Sequence, residues 1–271
     1  MSMESEAPIA GRATNDICQR MDAQHHRVDG RELSLPMDIE RCSLMMSGFT
    51  VDAKAAQRLL DGTGLTAARV LPGKSVLLLM GVDYQSNPLG NYNEAAVLIS
   101  AYPPGEGKRT WMSGAFSSLR MRVPYFVYRM PVDQEFTIHA GRFLWGYPKY
   151  LAQIDIRFQD KAASTQLMQD GQLVVSFEAP ATTSPDDETP QTANSRVQTG
   201  WNLTWRDGQL RRVEATMGGR GLAFRMGGKP PEIGERHPLA MELRELGLPK
   251  RPLFSASLKW AQMTFGVPEL L

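Results

Sequence analysis

Gly141-Arg142-Phe143-Leu144-Trp145-Gly146-Tyr147-Pro148-Lys149-Tyr150 is the stretch whose reading decides the rest. Bulky apolar residues lead into a Gly146-Tyr147-Pro148 turn, and a lone lysine follows it. The chain then runs through Tyr150 and Leu151 into Ile154, Ile156 and Phe158, which alternate with Asp155 and Arg157. A period of two is that of a strand with one buried face. Lys149 therefore stands where a turn enters a sheet, among aromatic and aliphatic groups that solvate an ammonium poorly.

Toward the C-terminus the strand pattern continues. Leu173, Val175 and Phe177 share a face, and Asp170-Gly171 supplies the hairpin turn before them. Trp201 to Trp205, Asp207-Gly208 and Leu210 to Met217 make a second hairpin. Residues 179–199 are dominated by Pro, Thr, Ser, Asp and Glu and read as a polar surface excursion. Met217-Gly218-Gly219-Arg220-Gly221 looks superficially like a phosphate cradle, but such a loop needs a following helix, and Leu222-Ala223-Phe224 reads as extended. A barrel-edge bend is the better reading. His237-Pro238 opens a helix to about Leu246, stopped by Gly247 and Pro249, and Phe254 to Phe265 reads as a strand turning helical.

Toward the N-terminus, Asp133 is an N-cap for a short helix that ends near Gly141. Val123 to Met130, Tyr92 to Ser100, Ser75 to Val82 and Arg41 to Phe49 read as strands, the third buried on both faces. Glu94 lies at the start of one of them, after the turn-forming Asn87-Pro88-Leu89-Gly90-Asn91 loop. Asp52 caps a helix through Leu60, with Gly62 or Gly64 at its end. Residues 1–35 lack a sustained period and read as a tail or arm, with at most a short helix around Ile17 to Met21. His25-His26 reads as a solvated patch. The expected architecture is an α+β fold, an antiparallel-rich β-barrel with a few short flanking helices, formed by one domain over residues 36–271.

Thirty basic against twenty-nine acidic residues leave a charge of +1, with no field to draw a polyanion, so nucleic acid is not an expected partner. Two cysteines without a ligand spacing point away from a zinc site or disulfide framework, and toward a reducing cytoplasm. There is no basic leader and no run of about 18 apolar residues, so no membrane association is expected. Dinucleotide, nucleophile-elbow and HExxH motifs do not occur, so no cofactor and no metal are expected. Lys149 remains as the group with a claim to chemistry. A lysine attacks a carbonyl only as the neutral amine, which desolvation favours.

The block from Ala140 to Lys149 resembles the signature of the acetoacetate decarboxylase family. Leu89-Gly90-Asn91-Tyr92-Asn93-Glu94 resembles a second block of that family, and His237-Pro238-Leu239 with Pro249 to Phe265 is similar in layout. The resemblance spans about residues 40–270. It implies a double-barrel or cone fold, a Schiff base between Lys149 and a small β-keto acid, Glu94 as the pocket carboxylate, and a homo-oligomer. Tyr92, Trp145, Tyr147 and Tyr150 are the implied substrate contacts. Three positions depart from the pattern. The family's second lysine is Tyr150 here, a pocket glutamate aligns with Leu77, and Arg41 is the nearest candidate for binding the substrate carboxylate. The resemblance thus implies a decarboxylating lyase, with a Schiff-base aldolase or dehydratase as the alternative. A non-enzymatic barrel binding a small molecule is the third reading.

Overall fold

A computed structural model describes residues 18–106, 123–182 and 198–271. The described residues form seventeen strands and three short helices. Seven strands close a ring: β7 (Tyr92–Tyr102), β6 (Lys74–Ser86), β4 (Met37–Asp52), β16 (Phe254–Phe265), β14 (Gln209–Met226), β13 (Gln198–Arg206) and β8 (Tyr125–Val132), the last pairing back onto β7. All these pairings are antiparallel except that of β13 with β8. Short strands β5 (Thr66–Ala67), β9 (Lys149–Leu151) and β17 (Glu269–Leu270) attach to β7, β8 and β14 respectively. A second sheet, β10 (Gln153–Phe158), β11 (Ala162–Gln169), β12 (Gln172–Pro180) and β15 (Glu232–Ile233), packs on the outside of the ring. None of the described helices is long and apolar enough to cross a membrane.

Strands β4, β6 and β7 are buried on both faces over most of their length, and so they divide two cores. Outside the ring, Phe49, Leu77, Leu79, Val97 and Ile99 pack against Leu167, Val175 and Phe177 of the second sheet. Inside it, Ile39, Leu44, Met46, Leu78, Leu98, Met130, Trp145 and Tyr147 gather. Helix α1 (Ala53–Leu60) begins as expected, the Asp52 carboxylate accepting from Lys54 N and Ala55 N at 3.0 Å each. The Asp170-Gly171 and Asp207-Gly208 turns hold both central residues at positive φ, the geometry that favours this dipeptide in two-residue hairpins.

Several expectations need correction. In the segment read as an arm, residues 1–17 lie outside the described residues, and the rest forms a three-stranded sheet, β1 (Cys18–Arg20), β2 (His25–Val28) and β3 (Arg31–Ser34), with strand at Cys18–Arg20 where a short helix was expected. It turns at Asp29-Gly30, and His26 is buried rather than solvated. Helix α2 (Glu135–Trp145) does not stop near Gly141, and Asp133 does not cap it; its carboxylate accepts from Asn93 N at 2.8 Å, fastening the start of β7. The chain's end is strand throughout Phe254–Phe265, because β14 and β4 pair with it on both sides. The glycine-rich bend lies within β14, where a side chain on Gly219 would collide with the Trp260 carbonyl. Most of the 179–199 excursion lies outside the described residues.

Helix α3 (Pro238–Glu245) starts as read, with His237 Nδ1 accepting from Leu239 N at 3.2 Å.

Candidate active site

The turn chemistry of the opening stretch aims Lys149 inward. Helix α2 ends at Gly146, whose φ of +72° is the left-handed conformation glycine adopts without a Cβ penalty. Tyr147 and Pro148 then bring the chain into β9, which pairs parallel with β8 so that Lys149 lies opposite Met130. The Arg142 guanidinium donates to the Lys149 carbonyl at 2.7 Å, locking helix to strand. The lysine side chain passes directly over Gly141. A Cβ there would lie 2.6 Å from Lys149 Cδ and 2.8 Å from Cε, so the glycine makes room for the lysine stem.

Glu94 arrives from β7, and its alternation places Glu94 and Leu98 inside the ring, with Ala95, Val97 and Ile99 in the outer core. Lys149 Nζ and Glu94 Oε2 are 2.7 Å apart, both side chains only 3% exposed. Two tyrosines flank the pair. Tyr84 OH donates to Glu94 Oε1 at 3.3 Å, and Lys149 Nζ donates to Tyr92 OH at 3.4 Å. Tyr84 and Tyr92 oppose one another in register and stack with ring centroids 4.4 Å apart. Burial, and then the nearby Glu94 carboxylate, hold both hydroxyls well above the ordinary tyrosine range. Both therefore stay protonated at ordinary pH.

A cavity of about 140 Å³ opens beside the pair. Tyr92, Trp145 and Tyr147, three of the expected substrate contacts, line it. Asn202 Nδ2 donates to Tyr147 OH at 3.2 Å, and Trp145 Nε1 donates to the Gly266 carbonyl at 3.0 Å, so both rings are fixed. Among the described lining residues, Lys149 and Glu94 are the only acidic or basic side chains.

The other expected positions lie elsewhere. Tyr150 follows Lys149 on a strand and so faces the opposite way; the charges that bear on it are those of Arg129 and Glu242, outside the ring. Arg41 is exposed, its guanidinium 3.9 Å from the centre of the Trp260 ring, and it does not line the cavity. Leu77 is fully buried in the outer core; the residues of β6 that face the cavity are Leu78, Met80 and Tyr84. Tyr84, Asn202 and Gly141 are site residues that reading the sequence missed. Tyr84 had a signal, since it shares the parity of Leu78 and Met80, but the uniform apolarity of Ser75 to Val82 hides parity.

Fold and site together define a closed β-barrel with a lysine and a carboxylate paired in a mainly apolar interior. Residues 25–210 match the family model of acetoacetate decarboxylase, and the chain belongs to that family. Among solved structures, an acetoacetate decarboxylase is similar at 14% identity and a TM-score of 0.58, over 87% of this chain and 89% of that one. The acetoacetate decarboxylase of Legionella pneumophila subsp. pneumophila str. Philadelphia 1 is similar at 13% identity and a TM-score of 0.56, over 87% of each chain. The enduracididine biosynthesis enzyme MppR, complexed with pyruvate, is similar at 16% identity and a TM-score of 0.53, over 88% of this chain and 91% of that one. These likenesses concern the fold. No curated protein matches the sequence.

Proposed function

We propose that the protein is a Schiff-base lyase in which Lys149 is the nucleophile and Glu94 its proton partner, acting on a β-keto acid. The observation that carries this reading is the 2.7 Å contact between two almost fully buried groups facing a cavity. A buried pair of this kind contributes little to stability compared with an apolar replacement, which favours a functional reason for it. Glu94 takes a proton from the Lys149 ammonium, and the neutral amine adds to the keto carbon. Glu94 returns the proton to the departing hydroxyl, water leaves, and a protonated imine remains. Cleavage of the bond to the carboxyl carbon sends its electron pair into the imine, releases carbon dioxide and leaves an enamine. Protonation of the enamine carbon and hydrolysis of the imine return the ketone and the free lysine. The Tyr84 hydroxyl holds the second Glu94 oxygen throughout.

The position of Arg41 favours a second reading. The cation expected to hold the substrate carboxylate stacks on Trp260 outside the cavity, and the same imine supports aldol addition and dehydration. Sodium borohydride added with a panel of keto acids tests the shared step: Lys149 gains the mass of the reduced adduct, and the Lys149→Met variant does not. Release of carbon dioxide selects decarboxylation. Condensation with an aldehyde, without gas release, selects the second reading, and an unmodified Lys149 removes both.

A further inference from the structure

Of the chain's 15 methionines, six line this one cavity: Met37, Met46, Met80, Met130, Met217 and Met263. Their placement is set by strand register. Met46 of β4 lies opposite Met80 of β6, Met217 of β14 opposite Met263 of β16, and Met130 of β8 opposite Lys149 itself. Two cross-strand methionine pairs thus come from neighbouring stretches of the ring, and a fifth methionine stands beside the amine. The apolar wall also extends away from the reacting groups. Leu98, opposite Leu78, is four residues along β7 from Glu94, about 13 Å at the rise of an antiparallel strand.

A chamber built for a substrate of a few polar atoms has no use for such a wall, which water wets poorly. Unbranched thioethers, by contrast, adapt to the outline of a ring or chain and contact aromatic edges favourably. The cavity of about 140 Å³ matches the ~150 Å³ at which an apolar protein cavity accepts benzene.

We infer that the carbonyl compound taken up by Lys149 carries an apolar body of about the size of a benzene ring, seated against Met46, Met80, Met217 and Met263 with its carbonyl turned to Lys149. This rests on the Schiff-base reading above. It assigns the specificity to the body of the substrate, whichever bond is later broken.

Paired ketones that differ only in the body test it: acetone against 4-phenylbutan-2-one, and acetoacetate against 3-oxo-5-phenylpentanoate. Amine and ketone condense with loss of water; borohydride then delivers hydride to the imine carbon, and the nitrogen is left as a secondary amine. Intact mass gives the concentration that labels half of the protein. The phenyl member of each pair is expected to half-label at about tenfold to a hundredfold lower concentration, as burial of one aromatic ring provides. Met80→Gln, or Met263→Gln if the first variant unfolds early in a thermal melt, raises the half-labelling concentration of the phenyl ketone more than that of acetone. Labelling at Lys149 that is equal or better with the methyl compounds overturns the inference and leaves the Schiff base standing. Labelling with no compound overturns the Schiff base itself.

Discussion

Strand β7 passes between two interiors and gives each of them alternate residues. Ala95, Val97 and Ile99 enter the outer core, where they pack in a cluster of apolar side chains. Glu94 and Leu98 face the inner chamber, where a carboxylate, an amine and tyrosine hydroxyls are mixed with methionines. One face therefore serves cohesion and the other chemistry, and a change at one is expected to leave the other's property largely intact.

Glu94→Gln is the sharpest way to break that division. It keeps the shape and one acceptor of the side chain but removes the proton acceptor, and borohydride labelling of Lys149 is expected to slow by about 10²- to 10⁴-fold, read as a single-turnover rate. On the opposite face of the same strand, Ile99→Ala opens a hole in a fully buried position. It is expected to cost about 2–5 kcal/mol in denaturant unfolding while the folded fraction labels at the parental rate. A labelling defect in that variant would show that the two faces are coupled. Gly141→Ala belongs to both sides, since its methyl must displace the Lys149 stem. About 1–3 kcal/mol of stability is expected to go, together with slower labelling.

The smallest effect extends the comparison to a polar group buried without a partner. Among the described residues neither ring nitrogen of His26 finds a hydrogen-bond partner, and its ring packs edge-on against Phe143 of α2. Burial, the largest cause, holds its pKa below the ordinary 6.5. The unfolded chain therefore takes up a proton before the native chain does, so stability present above about pH 6.5 is lost as pH falls below it. Thermal melts between pH 7 and 5 are expected to slope less steeply for His26→Leu.

Much of this was legible in the sequence, and the misses share causes. Lys149 and Glu94 could be singled out because their blocks are distinctive, but their contact could not be read: it is made across β8, which separates β7 from β9 in the sheet. Asp170-Gly171 and Asp207-Gly208 announced hairpins between apolar runs. Asp29-Gly30 carries the same turn, yet Arg27, Arg31 and Glu32 beside it look like a solvated arm, and the buried His26, Val28 and Leu33 are too few to show a period. Gly141 reads as a helix stop by composition, whereas its bare backbone serves the lysine stem within the helix. Arg41 and Leu77 were placed by alignment with a pattern, and a one-residue error in a strand reverses the face.

That last point bears on how such a site changes over time. Because Lys149 and Tyr150 point to opposite sides of a three-residue strand, substitutions nearby adjust the chamber by degrees, whereas losing one residue between Gly146 and Lys149 would exchange amine for phenol in a single event. The site is tolerant of spelling and intolerant of spacing. A second positive charge meant to act on the amine would likewise be introduced at an inward position such as Met130, its neighbour across the ladder, and not at the next position along the chain.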